Sequence, residues 1–357
     1  MANNKILVIG AGPGGLEAAR GIADLGYQVI IAEKRDRLGG TPDESSYAAL
    51  TPDLRSAEEA IQDMIAPVEN NPDVEIMFNT LVTGAEGELG NFKVKAMQLG
   101  KEVVIEAGAV IVCTGFQHFD PGRETQKYGY YEHDDVITLV DCEKMLKAHN
   151  FVRPSNGEKP KRVCFIQCVG SRDRQIGNEY CSKVCCGVAS KEAIEIRQQV
   201  PDCKVYIFYI DMRMYGYWEN EIYWPAQEKY KVNYVKGIAT EIVKKGDKLL
   251  VKGEDTTLRR PMEVEMDMVI LSVGMEPSSG TKDMARIFGL NQNKYGFIET
   301  TGGPMNTVAT NVPGVFAAGA CTGPADLEDT ISSAGSAAMK AIAAVRKMHW
   351  LVEKLNS

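Results

Sequence analysis

The feature that most limits how this chain can fold is Gly10-Ala-Gly-Pro-Gly-Gly15, a G-x-G-x-x-G sequence between the apolar run Lys5 to Ile9 and a helical stretch from Leu16 to Leu25. Gly10, Gly12, Gly14 and Gly15 allow a tight turn in which backbone amides and the positive helix end can meet a pyrophosphate. Gln28 to Ala32 reads as a second strand, so the segment predicts a βαβ unit opening a doubly wound sheet. Glu33 closes that strand, where a carboxylate can accept hydrogen bonds from a ribose diol. The competing reading is a structural glycine turn followed by a surface glutamate. The strand-turn-helix-strand context weighs against it.

A second unit is expected from Arg162 to Gln167 as strand, Ser182 to Gln199 as helix, Pro201 as a stop and Val205 to Ile210 as strand. Between Ile238 and Val273 short alternating strands with turns at Lys245-Gly-Asp247 and Lys252-Gly-Glu-Asp255 predict a small antiparallel meander. The run Val269-Ile-Leu-Ser-Val-Gly274 echoes Val110-Ile-Val-Cys-Thr-Gly115, which suggests two similar crossings between domains. The fold expected is α/β, with two dinucleotide-binding domains. One is discontinuous, 1–155 and 265–357, and the other is 156–264, with Arg153 to Lys161 as the linker.

The net charge of -8 argues against a nucleic-acid or anionic-membrane surface, which would need a basic stripe. No secretory pattern precedes the first strand, and Ile331 to Leu355 carries too many charges for a membrane span, so a cytoplasmic protein with a packed terminal helix is expected. Nine cysteines in such a compartment are reduced, and their placement then points to metal or redox chemistry. Cys113, Cys142, Cys164, Cys203 and Cys321 lie mostly in apolar runs and read as small hydrophobes.

The other four, Cys168, Cys181, Cys185 and Cys186, place one thiol at a strand end and three at a helix start. Cys185 and Cys186 would point about 100° apart on a regular helix, so all four meet one centre only if the helix start is distorted. Spacing alone leaves a [4Fe-4S] cluster, a four-thiolate zinc site and a redox-active thiol pair open. Adjacent cysteines suit zinc poorly, and the C-x-x-C of a dithiol reductase is absent.

Resemblance to known families adds to this. Thr310-Asn-Val-Pro-Gly-Val-Phe-Ala-Ala-Gly-Ala320, with Leu38-Gly-Gly40 and Thr114-Gly115, resembles the flavin fingerprints of the disulfide-oxidoreductase superfamily that includes thioredoxin reductases. It implies FAD, held by the glycine turn and Glu33 together with Lys34, Gly40, Thr41, Thr114, Gly115, Gly319, Ala320 and Leu327. An aspartate is usual where Ala320 stands, so one ribityl contact would be lost or rerouted. The runs Cys168-Val-Gly-Ser-Arg-Asp173 and Asn178-Glu-Tyr-Cys-Ser-Lys-Val-Cys-Cys-Gly-Val-Ala-Ser-Lys191, with Gly323-Pro-Ala-Asp-Leu327, resemble the A-type flavoprotein subunit of heterodisulfide reductases. That resemblance implies a thioredoxin-reductase-type flavoprotein whose Cys168, Cys181, Cys185 and Cys186 hold a [4Fe-4S] cluster. It also implies that Lys191 lies near the isoalloxazine ring, where a cation favours reduced, anionic flavin; a solvated helix lysine is the plainer reading.

The turn after the second unit's first strand has Gly170 alone, too few glycines for a nicotinamide phosphate cradle, and Asp211 reads as a strand-end turn residue. The chain looks like the short form found in the heterodisulfide-reductase-like complex of sulfur-oxidising prokaryotes. An electron-transfer subunit is therefore expected, paired as a homodimer with iron-sulfur B and C subunits and a lipoate-binding protein. The alternatives are the flavoprotein subunit of a quinone-interacting membrane-bound oxidoreductase, a stand-alone flavin disulfide reductase cycling Cys185 and Cys186, and a catalytically silent flavin-fold scaffold.

Overall fold

In the computed structural model, which describes residues 3–356, the chain divides into two units. The first takes the chain up to Glu44, then Glu59–Gln117 and everything from Glu276; the second takes Ser45–Glu58 and His118–Met275. The chain crosses after Gln117 and after Met275, just behind the two echoing strands, and not in the stretch Arg153 to Lys161 or near residue 265. Arg153 gives the reason. Its guanidinium is 3% exposed and ion-paired with Asp135 and Asp247, each at 2.8 Å, which pins the start of the expected linker to the second unit while Pro154 to Lys159 run exposed along its surface. The short excursion Ser45–Glu58 into that unit carries no signal in the sequence.

The first unit is built on a five-stranded parallel sheet in the order Val315–Ala317, Ala109–Val112, Ile6–Ile9, Val29–Ala32, Val74–Met77. All four residues of Ile6–Ile9 are buried, as a strand covered on both faces requires. The helix Pro13–Ala23 begins on a proline, which has no amide hydrogen to leave unpaired there. It shares a core with Ala334, Ala337, Ala338 and Ala341 of the helix Leu327–Asn356, where small side chains let the two backbones approach. Among the described residues no helix is long and apolar enough to cross a membrane. An antiparallel sheet of Thr80–Glu88, Asn91–Gln98 and Lys101–Ala107 lies outside the expected plan. Its signal is nonetheless present: Asn91–Gln98 alternates exposed and buried from Asn91 to Ala96, the period of a half-buried strand.

The second unit has one seven-stranded sheet, ordered Arg260–Met266, Lys248–Asp255, Asn233–Lys245, Lys204–Tyr209, Arg162–Val169, Met268–Val273, Val136–Thr138. The strands from Asn233–Lys245 to Val136–Thr138 pair in parallel, and the meander is antiparallel. The meander is thus an extension of the parallel sheet and not a separate layer. Helix Cys185–Gln199 lies beside it, and a Cβ on Gly187 would fall 2.5 Å from the ring of Trp218. Gly187→Ala should therefore cost about 1–3 kcal/mol by overpacking. A urea denaturation midpoint equal to that of the parent would show that Trp218 yields freely.

Candidate functional site

Every residue expected to hold the flavin nucleotide lies in the first unit. The glycine turn is fixed by backbone contact: a Cβ on Gly15 would fall 1.8 Å from the Gly10 carbonyl oxygen, and one on Gly40, at φ 64°, would fall 2.4 Å from the Gly12 Cα. Gly12 is different. A Cβ there meets nothing closer than 3.5 Å, so the chain itself does not require glycine and the space above the turn stays open. Glu33 is buried at the strand end; one carboxylate oxygen accepts from the Ala11 amide at 2.7 Å and the other from the Arg35 amide at 2.9 Å. It braces the turn in addition to any ribose contact.

Sequence reasoning missed Arg35. Both terminal nitrogens of its guanidinium are buried and make no hydrogen bond, with Asp43 and Glu44 at 3.7 Å as ion-pair partners. Buried guanidinium donors without acceptors fit a polyanionic nucleotide. Thr114 is tied down through its hydroxyl to Thr281 at 2.8 Å and through its carbonyl to Ser278 at 2.9 Å. The Gly319 amide donates to Ser333 at 3.0 Å, and Ala320 beside it is buried. Lys34 is exposed, Thr41 opens the short helix Thr41–Glu44, and Leu327 opens the terminal helix.

The four cysteines lie in the second unit. Strand Arg162–Val169 delivers Cys168, and the helix begins at Cys185, not at Ser182, which leaves Cys181 in the preceding loop. Three non-glycine residues here, Cys168, Arg172 and Lys183, hold left-handed backbone at φ 65°, 57° and 64°. Strain of this kind persists where the surroundings impose it and gathers at functional sites. The Cys185 thiol hydrogen-bonds to both Cys168 and Cys186. That bond, with the nearby Arg172 cation, holds the Cys168 thiol down at about 7. Cys186 is lowered by the same Cys185 bond, while Cys185 itself is raised by its bonds to Cys168 and Cys186 and by burial. Cys181 faces Arg213, and its sulfur accepts from the Lys183 amide at 3.3 Å.

Asp211 does more than end a strand. Its carboxylate pairs with Arg172 and, at 3.6 Å, with Arg213. Among the described residues no three His, Cys, Asp or Glu side chains are drawn together as ligands of a single metal ion. A cavity of about 290 Å³ opens beside Cys168, lined also by Gln167, Ser171 and Phe208. The Gln167 amide and the Ser171 hydroxyl are buried there without hydrogen bonds. Gly170 has its own reason to be glycine, since a Cβ would strike the Phe119 ring at 2.0 Å.

Lys191 is not solvated. It is 1% exposed, paired with the Glu143 carboxylate and with Glu195 at 3.3 Å, and it donates to the Ala49 carbonyl at 3.0 Å. Burial alone would depress its pKa, but Glu143, Glu195 and Glu192 outweigh burial and raise it. One ammonium cannot balance the buried Glu143 and Glu192 together with the half-buried Glu195. Glu192, fully buried beside the Cys142 thiol, is pushed well above its ordinary 4.5 by burial and by Glu143. A raised folded-state pKa contributes stability that is complete below the unfolded value and lost as pH rises through the folded one. Glu192→Gln should therefore remove a loss of stability that begins above about 4.5 and raise the Tm at alkaline pH. Parallel Tm–pH curves for parent and variant would show that Glu192 ionises freely in the fold.

Residues 4–346 match the family model described as pyridine nucleotide-disulphide oxidoreductase. The chain is 30% identical to the A-type subunit of the H(2):CoB-CoM heterodisulfide,ferredoxin reductase of Methanothermobacter marburgensis, over 95% of this chain and 63% of that one. It is 29% identical to the second A-type iron-sulfur subunit of the CoB--CoM heterodisulfide reductase of Methanopyrus kandleri, over 99% of this chain and 66% of that one. It thus spans a little under two thirds of the length of these relatives. Among solved structures the thioredoxin reductase of T. acidophilum is similar, with a TM-score of 0.66 at 20% identity over 97% of this chain and 99% of that one. The Lactococcus lactis thioredoxin reductase gives 0.64 at 20% identity, over 96% and 99%. These two likenesses carry the fold.

Proposed function

The chain belongs to the pyridine nucleotide-disulphide oxidoreductase family, and from that premise we propose that it is the FAD- and [4Fe-4S]-carrying electron-transfer subunit of a heterodisulfide-reductase-like complex. The observation that carries the reading is the content of the second unit's strand-helix turn. Thiols, Arg172 and strained backbone stand where a nicotinamide cradle would need glycines, and Arg213 reaches them from the loop after Lys204–Tyr209. The name of the Methanopyrus relative, an iron-sulfur subunit, supports it.

When bound, the two groups supply electron transfer. In this chain Gly10, Gly12, Gly14 and Gly15 would meet the pyrophosphate of FAD, with Glu33 and the half-buried Arg35 beside it and Lys34, Gly40, Thr41, Thr114, Gly115, Gly319, Ala320 and Leu327 around the rest. Cys168, Cys181, Cys185 and Cys186 would hold the cluster. The donor set fits it: four thiols, depressed pKa values at Cys168 and Cys186, and cations to offset thiolate charge. Lys191 is locked within the second unit by Glu143 and Glu195, which take up its charge there.

We read the setting as cytoplasmic, the chain as a homodimer, and the partners as B and C iron-sulfur subunits with a lipoate-binding protein, in the oxidation of sulfane sulfur. A stand-alone disulfide reductase would need a substrate disulfide to reach Cys185 and Cys186, which are 2% and 3% exposed. The test is anaerobic mixing of the isolated chain with NADH, NADPH and small disulfides. Little flavin reduction or disulfide turnover is expected until partner subunits are added. Rapid, saturable reduction by a nicotinamide with no partner present would make this a self-sufficient reductase.

A further inference from the structure

We propose that Asp211 is the positioning residue of the thiolate centre, holding two arginines against its sulfurs so that the centre is reduced more readily than four bare thiolates would allow. The inference rests on the cluster reading above. Asp211 follows strand Lys204–Tyr209 and is linked to three of the four cysteines. Its carboxylate pairs with Arg172, whose guanidinium is 4.0 Å from the Cys168 sulfur. It pairs at 3.6 Å with Arg213, which hydrogen-bonds to Cys181. Its backbone carbonyl lies 4.0 Å from the Cys186 sulfur.

One carboxylate bracing two cations is a device for direction. Arginine carries about 2 kcal/mol of rotamer freedom, and Arg213 and Asp211 are 37% and 48% exposed, so an unbraced guanidinium would turn to water. Left-handed backbone at Arg172 aims the other arginine inward at a conformational cost the surroundings must sustain. Positive charge held near the sulfurs stabilises the more negative, reduced form of a thiolate-bound cluster and raises its potential.

Asp211 could act in either of two ways, and they differ in sign. As a plain negative charge it would lower the potential, and Asp211→Asn would raise it. As a clamp it keeps two cations in place, and Asp211→Asn would let them swing away and lower it. The experiment is an EPR-monitored redox titration of the anaerobic holoprotein, with iron and acid-labile sulfide measured on each sample. The expected result is a lower cluster midpoint potential for Asp211→Asn, in the same direction as Arg172→Gln and Arg213→Gln, with iron and sulfide at parental levels and Arg172→Lys recovering part of the shift. A raised or unchanged potential in Asp211→Asn overturns the clamp while leaving the cluster reading intact. Parent protein without acid-labile sulfide overturns both, before any variant is made. If Asp211→Asn loses its cluster, the Arg172→Gln and Arg213→Gln pair decides, and unchanged potentials in both overturn the proposal.

Discussion

Cys185→Ala is expected to lose most of the iron and acid-labile sulfide of the anaerobically purified protein while retaining its flavin. Cys185 is the thiol that bonds to both Cys168 and Cys186, so its removal takes away one ligand and disorganises two. Alanine at Cys168, Cys181 or Cys186 should act in the same direction. Cys203→Ala is the control. That side chain is buried in the second unit's core, and its loss should cost about 1 kcal/mol of packing and no iron. Full metal content in Cys185→Ala would remove this residue from the ligand set.

Gly12→Val should give a folded protein that has lost its FAD. Gly15 and Gly40 would clash with the chain's own backbone if they carried a side chain, so variants there fail for structural reasons. Gly12 has no such conflict, its nearest neighbour being the Gly40 Cα at 3.5 Å. A branched side chain at Gly12 stands instead where a pyrophosphate must approach the turn. A steric cost of about 1–3 kcal/mol converts to roughly a 5- to 150-fold loss of affinity. Unchanged circular dichroism and iron content, with no flavin released on denaturation, are the expected readings. Normal flavin content would mean that the nucleotide passes elsewhere.

What could be read from the sequence was local. A strand, a glycine turn and a helix are specified within a few residues of one another, so the unit from Ile6 to Ala32 follows from its own pattern, as does the strand that ends in Cys168 and Val169. The crowding of four thiols was equally plain. The roles of Asp211, Lys191 and Arg153 were not, because each is set by partners far along the chain. Arg172 and Asp211 are 39 residues apart, Lys191 and Glu143 are 48, and Arg153 and Asp247 are 94. A charged residue in a polar stretch looks like a solvated linker until a distant carboxylate is folded against it. The antiparallel strands from Thr80 to Ala107 differ: their alternation is local and legible, but nothing in it says which sheet they join or that they interrupt a parallel unit.

The measurement closest to the central claim is the EPR spectrum of anaerobically purified, dithionite-reduced protein, quantified against its FAD. The account predicts a reduced-cluster signal of about one spin per chain in a preparation that also carries flavin. An EPR-silent protein with stoichiometric zinc and no acid-labile sulfide would contradict it.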